Sequence, residues 1–188
     1  MKKIGITGSL ASGKTTASKI LSFKKGPLFS ADHFVKKLYK KKYFKKIISK
    51  SFKIENNSNQ KKKIEKIILN DKSKIKKLEK IVHPLVRKEM RNFIRKNRGK
   101  DYIFFEIPLL VESNLMKNFD RIFFIKAKKK TRLKRFLSKG GSRELFETLN
   151  SRQLSDNKKI KYCDFIVVND KNKNILKKKL LSIFRPYE

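Results

Sequence analysis

The sequence predicts an α/β protein with a five-stranded parallel sheet flanked by helices, and three observations carry that prediction. Five short apolar or β-branched runs punctuate the chain, at 3–7, 27–31, 102–107, 121–127 and 164–169. Within them, Ile103-Phe104-Phe105 and Ile122-Phe123-Phe124-Ile125 are continuous rather than alternating, the pattern of strands covered on both faces. Helical periodicity fills the stretches between the runs, as right-handed βαβ crossovers require.

The first run, in Lys2-Lys3-Ile4-Gly5-Ile6-Thr7, leads directly into Gly8-Ser9-Leu10-Ala11-Ser12-Gly13-Lys14-Thr15. That segment is a complete G-x-x-x-x-G-K-[ST] phosphate loop, whose backbone N–H groups cradle nucleotide phosphates. Gly8 and Gly13 permit positive φ and close approach. Lys14 reaches the β- and γ-phosphates, and Thr15 offers a hydroxyl to Mg²⁺. Ala17, Ile20 and Leu21 then fall on one face of a helix whose N-terminus attracts anions. Strand, loop and helix are the setting of the P-loop NTPase fold, and the bound ligand is ATP or GTP.

The stretch between the second and third runs is far longer than one crossover helix needs. Phe34, Leu38 and Tyr39, then Phe44, Ile47 and Ile48, follow helical spacing. Ile64, Ile67 and Ile68 repeat it, as do Ile75, Leu78, Ile81 and Val82, and then Val86, Met90, Phe93 and Ile94. Residues 32–99 are therefore expected to form a helical insertion that covers the nucleotide or binds a second substrate, with a loop at Asn56-Asn57-Ser58-Asn59. The basic stretch 128–156, broken by Gly140-Gly141, is expected to be a helical lid over the phosphates. The core is then 1–31, 100–127 and 157–188, in one domain.

Composition narrows the function classes. The 188 residues suit one domain, and 38% hydrophobic content is enough for one core. The net charge is +36, but only ten of the 52 basic residues are Arg, and the Lys are spread along the whole chain. Lys, Ile, Asn and Phe are what A/T-rich codons encode, so compositional drift accounts for the charge without a nucleic-acid partner. The positive field still draws in anionic nucleotides. Cys163 stands alone, so no internal disulfide forms, in keeping with a reducing cytosol. Met1-Lys2-Lys3 is not followed by an apolar signal core, and no run approaches the roughly 20 apolar residues of a membrane span. A soluble, cytoplasmic protein is expected.

The phosphate acceptor must be read from groups near the strand ends. Asp32 follows the second run, expected beside the loop-bearing strand, where a carboxylate takes the proton of an attacking hydroxyl. The same residue suits the N-cap of a helix starting near Phe34. Glu106 ends the third run in a Walker-B position, fit to hold Mg²⁺ directly or through water, or to be satisfied by backbone N–H groups. His83 precedes Pro84; it either binds a substrate phosphate or caps a helix that Pro84 begins. Arg87, four residues on, can pair with an anionic substrate. Arg132, Arg135 and Lys139 share one helical face, which offers either a cation for the transferred phosphoryl group or solvated charge.

Taken together, these residues resemble the dephospho-CoA kinase family nearly end to end. Ile4-Gly5-Ile6-Thr7-Gly8 through Thr16 is similar to the family's opening, and Ser30-Ala31-Asp32 to its Asp-Ala-Asp segment. Leu78-Glu79-Lys80-Ile81-Val82-His83-Pro84-Leu85-Val86 is close to its Leu-Glu-x-Ile-x-His-Pro-x-Val signature, and Pro108-Leu109-Leu110-Val111-Glu112 to its Pro-Leu-Leu-Phe-Glu. Gln153, Lys158 or Lys159, and Cys163-Asp164-Phe165-Ile166-Val167-Val168-Asn169 resemble its closing pattern. The resemblance implies a P-loop core, a CoA-binding helical insertion and a lid. It implies transfer of the γ-phosphoryl of ATP to the ribose 3′-hydroxyl of dephospho-CoA, with Mg²⁺, in a monomer whose partners are those two substrates. Gly8, Ala11, Ser12, Gly13, Lys14, Thr15 and Thr16 would bind ATP. Asp32, Lys14 and Arg135 would be catalytic; Asp32, His83 and Arg87 would bind the acceptor; Thr15 and Glu106 would hold the metal. The sequence departs from the pattern at Ser30 and Glu106, each in place of Asp, at Arg132 in place of Gln, and at Lys139 in place of Arg. A nucleoside monophosphate kinase shares the core and lid, but the His83-Pro84 segment and the long insertion argue against it. A basic, nucleic-acid-binding ATP switch rests on the charge alone and has no need of Asp32.

Overall fold

The computed structural model describes residues 1–55, 57, 59–71 and 73–185. The elements in chain order are β1 (Lys2–Gly8), α1 (Lys14–Ser22), β2 (Leu28–Ser30), α2 (Ala31–Leu38), α3 (Lys42–Phe52), α4 (Gln60–Asn70) and α5 (Lys74–Lys96). They continue with β3 (Tyr102–Glu106), a 3₁₀ turn (Met116–Asn118), β4 (Arg121–Lys126), α6 (Lys129–Leu137), α7 (Arg143–Ser151), α8 (Asp156–Ile160), β5 (Phe165–Val168) and α9 (Lys173–Phe184). All five expected strands form, and they make one sheet of order β2-β3-β1-β4-β5 with every pair parallel.

Two compact units make up the chain: residues 1–30 with 93–188, and residues 31–92. In the first, the phenylalanine-rich strands divide their side chains between two faces with period two. Ile4, Ile6, Phe104, Phe123, Ile125 and Val167 pack with Ala17 and Leu21 of α1 and with Leu176, Leu180 and Phe184 of α9. Phe105 points the other way. Its ring lies 5.9 Å from Phe29, 5.4 Å from Phe93 and 5.4 Å from Phe119, within the 4.5–7 Å range of aromatic pairs.

One expectation about the sheet needs correcting. The second strand does not lie beside the first, because β3 pairs with both and separates them. Asp32 therefore follows a strand two places away from β1. A short apolar run specifies a strand but carries no information about its neighbour. At the other end of the sheet β5 is an edge strand, and its Ile166 and Val168 are 46% and 42% exposed.

The second unit is helical. Leu38, Phe44, Ile48, Ile64, Ile68, Ile75 and Val82 are buried, each at a position that the helical spacing marks as inward. Gln60 is 2% exposed, and its amide donates to the Lys45 carbonyl at 2.9 Å and to Ser49 Oγ at 3.1 Å, joining α4 to α3. Of the loop expected at 56–59, Asn56 and Ser58 lie outside the described residues. Two helix starts also differ from expectation. α2 begins at Ala31, so Asp32 lies in the first turn instead of capping it. α5 runs through Pro84, so His83 is mid-helix and caps nothing. The apolar stripe Ile75, Val82, Val86 and Met90 is buried on both sides of Pro84 and outweighs the missing N–H.

Phe105→Ala is expected to lower the unfolding free energy by about 3–5 kcal/mol in urea titration, since it empties the centre of a four-ring cluster. Phe23→Ala, at a side chain 69% exposed, should change it by no more than about 0.5 kcal/mol.

Candidate active site

The loop 8–15 leaves the carboxyl end of β1, the middle strand of the sheet, and turns directly into α1. Gly8 has φ 149° and Gly13 φ 98°. A Cβ on Gly8 would strike the Ile125 carbonyl oxygen, and one on Gly13 would strike the Asn169 amide nitrogen. Glycine is required at both positions by conformation and by space. Ala11, at φ 57°, adopts the left-handed region despite its Cβ and must be held there by its surroundings.

The surroundings do hold the loop. The Ser12 amide donates to the Ser9 carbonyl at 3.1 Å, closing the turn. The Leu10 amide donates to Gln153 Oε1 at 3.0 Å, while Arg132 Nη1 donates to the Leu10 carbonyl at 3.3 Å. Ser12 offers its carbonyl to Asn169 Nδ2 at 2.8 Å and to Arg135 Nη1 at 3.3 Å. The Ser9 hydroxyl bonds to the Asp156 carboxylate. The first turn of α1 has neither a side-chain cap nor an acidic residue, so its N–H groups and dipole suit an anion.

Lys14 is 7% exposed, and its ammonium donates to the carbonyls of Gly8 (3.1 Å) and Ser9 (2.8 Å). Thr15 Oγ1 donates to Glu106 Oε1 at 2.5 Å. Glu106 is 1% exposed, and its second oxygen, Oε2, is buried without a hydrogen-bond partner. A buried carboxylate oxygen left unpaired beside a hydroxyl is what a hard divalent cation takes as a ligand. The pair expected to hold Mg²⁺ is thus joined across β3 and α1, and its donor set fits that ion.

In the expected lid, α6 and α7 meet across the Gly140-Gly141 break, and Phe136 lies 5.6 Å from Phe146. Ser142 caps α7 by accepting from the Leu145 amide at 3.1 Å. The expected basic face shrinks from three residues to two. α6 ends at Leu137, leaving Lys139 beyond it and exposed, with Gly140 at φ 82° closing the turn. Arg132 and Arg135 point to different uses. Arg132 is buried: Nε donates to the Ala127 carbonyl at 3.2 Å, Nη1 to Asn150 Oδ1 at 2.7 Å, and the guanidinium lies over the Phe146 ring. Burial pushes its pKa down, against the carboxylates of Asp156 and Glu147, which push it up. Arg135 is half-buried, with its guanidinium at the Ser12–Gly13 turn.

The expected acceptor residues belong to the second unit. Asp32 is exposed in the first turn of α2. His83 and Arg87 lie one turn apart on α5, in an open groove of about 600 Å³ that Lys76, Lys80 and Arg91 also line, with Glu79 its only acid among the lining residues. The groove is strongly positive. Pro84 faces it as well and has no N–H to give the Lys80 carbonyl.

The structure brings Lys14, Thr15, Glu106 and Arg135 together around one loop, and with them Asn150, Asp156 and Asn169, to which the sequence pattern assigned no role there. Asn169 carried a usable signal, since a polar residue directly after the last strand of a parallel sheet lies at its ligand-facing end. Asn150 and Asp156 carried none.

The dephospho-CoA kinase family model matches residues 2–174. A dephospho-CoA kinase of Bartonella quintana is 36% identical over 177 residues, covering 92% of this chain and 91% of that one. A crystal structure of a Thermus thermophilus protein superposes with a TM-score of 0.79 at 22% identity, covering 100% of this chain and 98% of that one. The dephospho-CoA kinase from Campylobacter jejuni superposes with a TM-score of 0.63 at 23% identity, covering 98% and 96%. The structural likenesses establish the fold; the family match and the sequence identity establish descent, and the chain belongs to the dephospho-CoA kinase family.

Proposed function

We propose that the protein transfers the γ-phosphoryl group of ATP to the ribose 3′-hydroxyl of dephospho-CoA, giving coenzyme A and ADP. The observation that carries this reading is the glycine-hinged phosphate loop with the Thr15–Glu106 pair beside it, in a chain of this family. The positive groove on α5 supports an acceptor that carries phosphates of its own.

Each residue then has a physical task. Loop amides and the uncapped N-terminus of α1 hold the β-phosphate. Lys14, oriented by the Gly8 and Ser9 carbonyls, offsets charge on the β- and γ-phosphates. Thr15 and Glu106 would hold magnesium, which would neutralise phosphate charge when bound. His83 and Arg87 bind the anionic part of the acceptor. Asp32 accepts the proton of the 3′-hydroxyl as that oxygen bonds to the γ-phosphorus and the bridging oxygen leaves with ADP. Arg135 supplies a cation to the equatorial oxygens; Arg132 is the poorer candidate, because it is 7% exposed and its Nε and Nη1 donate to Ala127, Leu10 and Asn150.

Asp32→Asn is expected to keep ATP affinity within about twofold of wild type by calorimetry, while single-turnover transfer to dephospho-CoA falls about 10²–10⁴-fold. Transfer at the wild-type rate would reduce Asp32 to a helix-terminal charge. Arg135→Ala should lower kcat about 10²–10³-fold with little change in thermal stability. Arg132→Ala should instead destabilise the fold by about 1–3 kcal/mol, because it strips donors from buried acceptors.

A further inference from the structure

The segment just after α7 holds the phosphate loop by a route that the catalytic reading does not use. Lys159 is fully buried, 0% exposed, in a chain whose lysines otherwise stay largely in water. Its ammonium lies 2.6 Å from Glu112 Oε1 and 3.3 Å from Gln153 Oε1. Glu112 Oε1 also accepts the Leu154 amide at 3.2 Å, so the carboxylate fixes both the ammonium and the backbone next to Gln153.

Gln153 Oε1 has a second donor, the Leu10 amide of the phosphate loop, at 3.0 Å. Both of its neighbours are donors only. Of the two ends of the Gln153 amide, only the oxygen can face the loop; the NH₂ end would oppose an N–H and an ammonium. The buried cation thus dictates the rotamer of a glutamine, and the glutamine sets the Ser9–Leu10 peptide. Next along the chain is Ala11, whose left-handed conformation is unfavourable for a residue with a Cβ and persists only while the peptides before it are held.

We propose that Gln153 is a positioning residue for ATP. It is oriented by the buried Lys159–Glu112 pair and acts through the Leu10 amide to keep the phosphate loop in its binding conformation. This inference rests on the kinase reading for its kinetic test and extends that reading beyond the groups that touch phosphate.

Three variants test it. Gln153→Leu removes the acceptor without touching a charge. It should raise the KM for ATP and the Kd for ADP about tenfold, the effect of one lost hydrogen bond at a charged site. The KM for dephospho-CoA should hardly change, while the melting temperature falls because the buried Lys159 ammonium and the Leu10 amide lose an acceptor. Lys159→Met alone would strand a buried carboxylate, so it is combined with Glu112→Leu, which removes both charges and leaves an apolar pair. That double variant should fold cooperatively and show the same tenfold loss of nucleotide affinity, and adding Gln153→Leu to it should cause no further loss. Wild-type affinity for ADP in Gln153→Leu overturns the proposal, as does wild-type affinity in the double variant. If the double variant does not fold, Gln153→Leu decides alone. Calorimetry with ADP needs no acceptor. Failure of the wild-type protein to phosphorylate dephospho-CoA would therefore sink the proposed function while leaving this test readable.

Discussion

Between β1 and α1 the backbone passes through Gly8, Ala11 and Gly13, all at positive φ, within a few residues. Such a path is not stable by itself. It survives because the structure around it supplies a partner for almost every turn of the peptide plane. Ile125 leaves no room for a side chain at Gly8, and Asn169 leaves none at Gly13. Asn169 and Arg135 hold the Ser12 carbonyl, and Gln153 and Arg132 hold the two sides of Leu10. These partners come from the end of β5, from α6 and from the segment after α7. The parallel sheet matters chiefly because it brings the carboxyl ends of β1, β3, β4 and β5 together, so that residues distant in sequence meet at one loop.

The stability of this arrangement comes from apolar packing rather than from the many charges. The ion pairs Lys61–Glu65, Lys74–Asp71 and Lys129–Glu147 are exposed, and pairs of that kind contribute about 0–1 kcal/mol each. With a net charge of +36, most lysines have no acid to meet. Self-repulsion is tolerated because both faces of the sheet bury phenylalanine and branched aliphatic side chains. The same excess charge suits substrates that are themselves polyanions, and it raises their local concentration before any specific contact forms.

Much of this was legible in the sequence, for identifiable reasons. The five strands announced themselves through short apolar or β-branched runs, two of them continuous, and the loop through its glycines and Lys14-Thr15. The insertion showed in the helical spacing of Ile64, Ile67 and Ile68 and of its neighbours. Pro84 misled because proline usually starts helices, whereas here the buried stripe from Ile75 to Met90 carries α5 past it. Asp32 was set beside the wrong strand because strand order is a long-range property that no local run encodes. Helical spacing put Arg132 and Arg135 on one face and only the family resemblance set Arg135 apart; the packing shows the physical difference, with Arg132 buried against Ala127 and Asn150 and Arg135 half-buried at the Ser12 carbonyl. The resemblance left Lys158 and Lys159 as alternatives, and composition could not separate them, since a buried lysine among so many exposed ones gives no compositional signal.

Delivery of the loop-bound phosphate to dephospho-CoA is tested most directly by ATP consumption with three arms: dephospho-CoA, a panel of nucleoside monophosphates, and no acceptor. Stoichiometric ADP release is expected with dephospho-CoA alone, together with a product that carries the new phosphate on the ribose 3′-oxygen. Equal ADP release in all three arms, or preferential transfer to the nucleoside monophosphates, would overturn the assignment.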